Sequence, residues 1–496
     1  MEAQSGAKIV SGKVGKSPME TMKQFTGLAS DSREVKPGYL FAALPGTKAN
    51  GAEFVKDAAQ RGAIAVLGRP EVASSAAKAG VRFIADENPR KALARYAAAF
   101  YAAQPATVAA VTGTNGKTSI TVFLREIWTA LGKRAASMGT IGVVAPQGEI
   151  KLNHTTPGPV ELHGILAGLK RDGVDYLAVE ASSHGLDQYR LDGVEIAAAG
   201  FTNITRDHMD YHPTHDAYLA CKLRLFRELV RGGGVAVVNA DAEHGENFIA
   251  ASKARGLRLL TVGEKGDDLK LLERVPHGDG QALKIAYAGN RYAVELPLAG
   301  AFQASNALVA AAFAIGLGEE PGAVFAALAG LKGAPGRLER VAAAKGGAPI
   351  YVDYAHTPDA LETVLTALRP HTDGKLSVVF GCGGDRDRGK RPLMGAAAAH
   401  YADRVIVTDD NPRNEPADSI RREIMAGCPG ATEIAGRAEA IHAGIAALGE
   451  SDTLVIAGKG HESGQIVGDV VHPFSDRDEA IKAAISLGGR AVEGKP

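Results

Sequence analysis

The sequence predicts an α/β protein of three domains built on mainly parallel sheets, and three observations predict it. At 496 residues the chain is too long for one hydrophobic core, so two to four domains are expected. From residue 107 onward, short apolar runs alternate with helical stretches, the pattern of βαβ units around a parallel sheet. Sixty glycines over an alanine-rich background supply the short turns and small-residue helices that such units use.

The first segment, residues 1–104, holds an apolar strand over Tyr39–Leu44, closed by Pro45-Gly46, and another over Ile64–Leu67. It ends in a helix with Asn88 as N-cap and Pro89 at the first helical position, running through Tyr101. Gln104-Pro105 reads as a linker. The second segment, 105–335, opens with the strand Thr107–Val111 and continues through Tyr176–Glu180, Glu195–Ile204 and Val235–Asn239 to a turn-rich break at Gly333-Ala334-Pro335-Gly336. The third, 336–496, repeats the pattern with Ile350–Asp353, Leu376–Phe380, Arg404–Asp409 and Thr453–Ala457. Each of these runs ends in a polar or glycine-rich turn. In open α/β sheets ligands sit at the carboxyl ends of strands, so those turns are where function is sought.

Bulk properties exclude several classes. Lys+Arg and Asp+Glu balance at 56 each, which leaves no global basic field for nucleic acid or a membrane surface. Aromatics make up only 5%, against base-stacking platforms. Cys221, Cys382 and Cys428 lie far apart with no metal-ligand spacing, which reads as free thiols in a reducing compartment. The lysines before Pro18 lead into no apolar core, so no signal peptide is expected. The longest nearly apolar stretch, Ala307–Gly318, falls short of the ~20 residues that span a bilayer. The expectation is a soluble, cytoplasmic monomer that acts on small molecules.

The strongest chemical signal is Thr112-Gly113-Thr114-Asn115-Gly116-Lys117-Thr118, between the strand Thr107–Val111 and a helix Ser119–Leu131 that Gly132 terminates. In that context glycines let backbone N–H groups close around phosphate oxygens, and the helix N-terminus adds partial positive charge. Lys117 would reach the outer phosphates, and the Thr118 hydroxyl would coordinate magnesium. The usual first glycine of such a loop is Val111 here. Glu180, at the mouth of a neighbouring strand, is a natural Mg²⁺ ligand. His208 lies in a second polar cluster, Thr202 to Asp210, beyond the next strand.

Lys222 is the most telling single residue. On a helix from Thr214, positions 218, 222, 225, 226 and 229 share one face and read Tyr, Lys, Leu, Phe, Leu. Lysines do snorkel from such faces. The alternative is that desolvation lowers the amine's proton affinity and makes it nucleophilic toward CO₂.

TGTNGKT without the first glycine resembles the Mur ligase and folylpolyglutamate synthase superfamily. Tyr218 to Phe226 is similar to the Mur ligase segment whose lysine is carbamylated. The synthases start near the phosphate loop, whereas this chain has a preceding domain with Ser30-Asp31-Ser32-Arg33, similar to a UDP-binding domain, which selects the Mur branch. The resemblance implies an N-terminal UDP-binding α/β domain, a central P-loop ATPase domain and a C-terminal Rossmann-like domain. It implies ATP contacts at Gly113, Thr114, Asn115, Gly116, Lys117, Thr118, Ser119, Asn306, Arg337 and Asp353. Two Mg²⁺ ions would be held by Thr118, Glu180, His208 and Lys222 as its CO₂-derived carbamate, with Lys117 completing the catalytic set. UDP-MurNAc-dipeptide would bind Ser30, Ser32, Thr155, Thr156, Ser182, Gln188 and Arg190, and His154 stands where the family often has asparagine. Asp410-Asn411-Pro412-Arg413, Arg386, Gly458 and Glu462 resemble the diaminopimelate-binding turns of the family. The implied reaction is ATP-dependent addition of meso-diaminopimelate to UDP-N-acetylmuramoyl-L-alanyl-D-glutamate through an acyl phosphate, in peptidoglycan precursor synthesis. A lysine-adding ligase is the rival within the family. A P-loop ATPase that drives partner binding is the rival outside it.

Overall fold

In the computed structural model, residues 22–46, 50–205 and 211–492 are described. These described residues form two compact units by internal contacts, one within 1–117, 132–238 and 242–260, the other within 118–131, 239–241 and 261–496. Among the described residues no helix is long and apolar enough to cross a membrane.

The first unit opens with a four-stranded sheet in the order Gly27–Ala29, Tyr39–Ala43, Ala65–Gly68, Arg82–Ala85, every neighbouring pair parallel. Its central strands are apolar at every position because both faces are covered. Leu40, Ala42 and Leu67 pack on one side with Leu93, while Phe41, Ala43 and Val66 pack on the other with Val55. Leu93 comes from the helix Pro89–Tyr101, where the Asn88 side chain accepts from the Lys91 N–H at 3.1 Å, as the N-cap reading expects.

A second parallel stretch places Val230–Asn239, Ile196–Phe201, Thr107–Thr112, Tyr176–Glu180 and Ala135–Gly139 side by side. Register sets Val111 beside Glu180 and Thr112 beside Phe201. The phosphate loop, the Glu180 carboxylate and the turn after Phe201 therefore emerge at one edge. The strand expected to reach Ile204 stops at Phe201, since residues 202–205 turn to bind the phosphate loop.

In the second unit, an antiparallel meander of Leu269–His277, Gly280–Tyr287 and Asn290–Leu296 precedes the helix Ala301–Gly316. The sequence reading missed this meander. Its signal was the pair of tight turns at Gly278 and Gly289, both with positive φ. A seven-stranded sheet follows, in the order Thr432–Glu433, Arg404–Val407, Leu376–Phe380, Thr453–Ala457, Pro349–Asp353, Glu339–Ala343, Arg490–Ala491. The first five strands are mutually parallel, so their carboxyl ends carry the turns singled out above onto one edge.

That edge is fastened by a fully buried ion pair. Arg437 Nε and Nη2 each donate to the Asp476 carboxylate at 2.7 Å, and the same guanidinium donates to the carbonyls of Ala457 and Asp409. Removing one partner of a buried pair strands the other charge, at a cost of roughly 3–5 kcal/mol. Asp476→Ala is therefore expected to lower unfolding stability by that amount in urea titration. A loss within the range of exposed pairs, below about 1 kcal/mol, would contradict this account of the edge.

Candidate active site

The phosphate loop is held by its glycines and by the turn beside it. Gly113 has φ +149° and a Cβ there would lie 1.8 Å from Thr202 Oγ1, while Gly116 has φ +86°. Thr114 N donates to Asn203 O at 2.8 Å, Asn115 N to Asn203 Oδ1 at 3.0 Å, and Thr202 Oγ1 to Asn115 O at 2.6 Å. Thr114 Oγ1 accepts from Thr205 N and meets Tyr218 Oη at 3.1 Å. The helix Lys117–Ala130 starts directly from the loop, with Thr118 and Ser119 buried in its first turn.

Two lysines converge on this loop. Lys117 Nζ donates to the Gly113 and Thr114 carbonyls at 2.9 and 2.7 Å, and Lys222 Nζ donates to the same Gly113 carbonyl at 2.7 Å. Lys222 is 1% exposed, so it does not snorkel; its ammonium also lies 4.4 Å from the Tyr218 ring centroid. It rides on the helix His215–Arg224, whose N-cap Thr214 accepts from Ala217 N at 3.1 Å. A π-helical turn over Leu225–Leu229 continues that helix and buries Leu225 and Phe226. Single π turns in α-helices recur at functional sites.

Glu180 is 1% exposed and its two carboxylate oxygens accept from Thr140 N at 2.8 Å and Thr140 Oγ1 at 3.1 Å. Gly139 is required beside it, since a Cβ there would lie 2.1 Å from Glu180 Oε1. Thr140 meets Thr155 at 3.2 Å, and Thr156 Oγ1 donates to the Glu180 carbonyl and meets Ser182 Oγ at 2.9 Å. Thr140 escaped the sequence reading, although it too follows a strand end. Arg190 donates to Thr156 O at 2.6 Å and to Gln188 Oε1 at 2.8 Å. Ser30, His154, Gln188 and Arg190 line one cavity of about 170 Å³, together with Arg90. Ser32 is buried in the short helix after Asp31 and is not part of that lining. His208 lies outside the described residues. Among the described residues no three His, Cys, Asp or Glu side chains gather as a metal site. Glu180 nonetheless fits a hard cation, being a buried carboxylate whose bonds come from neutral donors.

In the second unit, Asn306 Nδ2 donates to Gln303 Oε1 at 3.1 Å, and Gln303 Nε2 to the Arg337 carbonyl at 2.9 Å. The Arg337 guanidinium lies 4.6 Å from the Tyr354 ring centroid. Asp353 accepts from Leu338 N at 2.6 Å and Ala355 N at 2.7 Å. Burial pushes its carboxyl up from 3.8 to about 6, against the pull of Arg337 and the two backbone donors. His461 goes the other way, to about 4, through burial and then the nearby Arg337 charge.

The amino-acid turns meet one another in the same unit. Asn411 Nδ2 donates to Glu462 Oε2 at 3.0 Å, and the buried Lys459 donates to Asn411 Oδ1 and Glu462 Oε2. Asp410 accepts from the backbone N–H of Asn411 and lies 3.9 Å from Arg437, and a Cβ on Gly458 would touch its carboxylate. Pro412 is buried beneath this turn. Arg413 has φ +51°, a left-handed conformation that a non-glycine residue adopts only where surroundings enforce it. Its N–H donates to Ile466 O, and Nη1 donates to the Gly384 and Asn411 carbonyls. Among the described residues Arg413 forms no ion pair, because Glu415 is taken by Arg391. Arg386 is exposed and, among the described residues, donates to the Asp385 carbonyl. Lys459 stood in a turn the sequence singled out, but no role was drawn for it.

With a strand-to-helix phosphate loop, a buried strand-end carboxylate and a set of charged turns, the chain has the parts of a nucleotide-dependent ligase. Comparison with known proteins agrees. Three domain models of one family match in order, the Mur ligase catalytic domain over residues 24–101, the middle domain over 111–314, and the glutamate ligase domain over 336–460. The chain belongs to the Mur ligase family. It is 55% identical, across 95% of its length and 96% of the relative's, to UDP-N-acetylmuramoyl-L-alanyl-D-glutamate–2,6-diaminopimelate ligase of Bradyrhizobium diazoefficiens. The enzyme of that name from Caulobacter vibrioides is 53% identical over 94% of this chain and 96% of its own. A solved structure of a ligase with the same name superposes with a TM-score of 0.71 at 35% identity, covering 93% of this chain and 95% of that one. Folylpolyglutamate synthase of Mycobacterium tuberculosis, solved with ADP and AMPPCP, shares the fold at 20% identity and TM-score 0.62, over 81% of this chain and 95% of that one.

Asp353 and His461 give opposite pH signatures. Asp353 binds its proton more tightly in the folded state, so its contribution to stability is full below 3.8 and lost as pH rises through about 6. His461 binds its proton more weakly when folded, so its contribution is present above 6.5 and lost as pH falls through about 4. Asp353→Asn removes the first and leaves the second. Between pH 4 and 6 the variant's stability should therefore climb more steeply with pH than that of the parent chain. Equal slopes in parallel denaturant titrations would contradict the assignment.

Proposed function

We infer that this chain joins the amine of meso-2,6-diaminopimelate to the side-chain carboxylate of UDP-N-acetylmuramoyl-L-alanyl-D-glutamate, with ATP converted to ADP and phosphate. The observation that carries the reading is the conjunction of a Mur-type phosphate loop, with Lys117 and Lys222 on one carbonyl, and more than half identity to ligases of that name. ATP-dependent ligation is the chemistry of the family.

The residues divide the work as follows. Backbone N–H groups of the loop and Lys117 hold the outer phosphates and offset charge as the phosphoryl group moves. The substrate carboxylate attacks the γ-phosphorus, ADP leaves, and an acyl phosphate forms. The amine then attacks the acyl carbon, phosphate departs, and the surplus proton passes to solvent. Magnesium, when bound, neutralises phosphate oxygens, and Glu180, Thr118, His208 and Lys222 as a carbamate would hold it. Thr155, Thr156, Ser182, Gln188 and Arg190 orient the muramoyl-dipeptide, with Ser30 and Ser32 toward the uridine end. Asn306, Arg337 and Asp353 complete the nucleotide contacts. Arg386, Asp410, Asn411, Pro412, Arg413, Gly458 and Glu462 receive the amino acid.

Diaminopimelate and lysine differ by one carboxylate, so a selector must recognise that group. Arg413 suits it, since a guanidinium can pair with a carboxylate bidentately and, among the described residues, Nη1 alone of its guanidinium is engaged, on backbone carbonyls. With lysine bound it would stay unpaired, and sites built for a missing polar group reject the analogue by roughly 10⁴-fold. In an ATP-dependent coupling assay, phosphate release should require both the UDP-linked acceptor and diaminopimelate, which also excludes a hydrolysis-driven ATPase. Arg413→Ala should raise KM for diaminopimelate by roughly 10- to 100-fold, narrow the preference over lysine, and leave KM for ATP unchanged. A variant that keeps its full preference removes Arg413 as selector.

A further inference from the structure

Arg90 occupies a position that folding alone does not favour. It is the second residue of the helix Pro89–Tyr101, whose first turn carries no acidic residue, so its charge faces the positive end of the helix dipole. Among the described residues it forms no ion pair, and its Nη2 donates to the Pro45 carbonyl at 2.6 Å. It lines the same cavity of about 170 Å³ as Arg190, and no carboxylate is among the lining residues. Arg190 likewise forms no ion pair among the described residues, where Gln188 Oε1 and Thr156 O hold it. Burial, and after it the charge of Arg90, hold the Arg190 guanidinium below its usual proton affinity, with Tyr211 and then Glu161 acting in the other direction. Two guanidiniums that repel each other in one cavity, lined also by Ser30 and His154, form a cradle whose described lining includes no carboxylate.

We propose that Arg90 is a substrate-binding residue that, with Arg190, holds an anionic group of the UDP-linked acceptor. The inference rests on the acceptor named above and adds a contact to it. The acceptor offers two such groups, its diphosphate and the carboxylates of its peptide, and both suit a guanidinium fork. A hydrogen bond to one backbone carbonyl explains a long polar side chain at this position, but does not explain a permanent charge.

The test uses the full chain carrying R90Q, which keeps a donor for the Pro45 carbonyl and loses the charge. KM for the UDP-linked acceptor should rise about tenfold or more, as expected for loss of a charge-assisted contact, while KM for ATP is unchanged. Acceptor affinity should also lose part of its dependence on salt concentration. Calorimetric titration with uridine diphosphate alone separates the two sources: weaker binding by R90Q assigns the diphosphate, and equal binding with a raised acceptor KM assigns a carboxylate. An R90Q enzyme with the parental acceptor KM overturns the proposal and leaves Arg90 as a brace for Pro45. A parent chain that couples nothing to the acceptor removes the reading itself, and this inference with it.

Discussion

Two ammonium groups donate to one carbonyl oxygen, that of Gly113, and the architecture of the first unit is arranged around that crowding. Two unit charges about 5–6 Å apart repel by roughly 3 kcal/mol at an effective dielectric constant near 20. Phosphate bound at the loop would add negative charge beside both lysines, and conversion of Lys222 to a carbamate would replace one cation by an anion. The surrounding structure keeps both lysines in place, and among the described residues no cationic side chain pairs with Glu180. Parallel strand register brings the loop, Glu180 and the Thr202–Thr205 turn to one edge, and the π-helical turn after Arg224 fixes the buried face from which Lys222 projects.

The second unit solves a different problem with the same geometry. Five parallel strands end together, and Arg437 ties two of those ends to Asp476. Leu338, Asp385 and Arg413 take left-handed backbone conformations in the turns beyond. Such conformations cost of order 1–3 kcal/mol each and persist only where hydrogen bonds over-determine them. Here the bonds are those of Leu338 N to Asp353, Asp385 N to Glu415 and Arg413 N to Ile466. The result is a set of charged groups whose direction is set by backbone rather than by flexible side-chain torsions.

Much of this was legible in the sequence, for physical reasons that differ by element. The phosphate loop, the Asn88 cap and the buried strands are local patterns, in which spacing alone dictates conformation. Lys222 was legible as an apolar-face lysine, but spacing could not say whether the ammonium turns outward or inward; burial among Tyr218, Leu225 and Phe226 decides that. The antiparallel meander of residues 269–296 was missed because its strands carry many exposed charged residues and so lack a clean apolar run. Thr140, Lys459 and Arg437 were missed because their importance lies in long-range partners, Glu180, Asn411 and Asp476, that no local pattern reveals. Arg90 sat in a helix start that the sequence identified, and only the cavity shows that no carboxylate among the described lining residues meets its charge.

The proposed function requires that Lys222 act at the phosphate loop as a carboxylate rather than as a packing lysine. Turnover of Lys222→Ala, measured in the coupling assay with and without a small carboxylate such as acetate or formate, tests it most directly. The account predicts an inactive folded variant that recovers part of its kcat as the carboxylate is added, because the added anion occupies the place of the carbamate. Full activity without any addition, or inactivity that no carboxylate relieves while Lys222→Arg remains active, would contradict it.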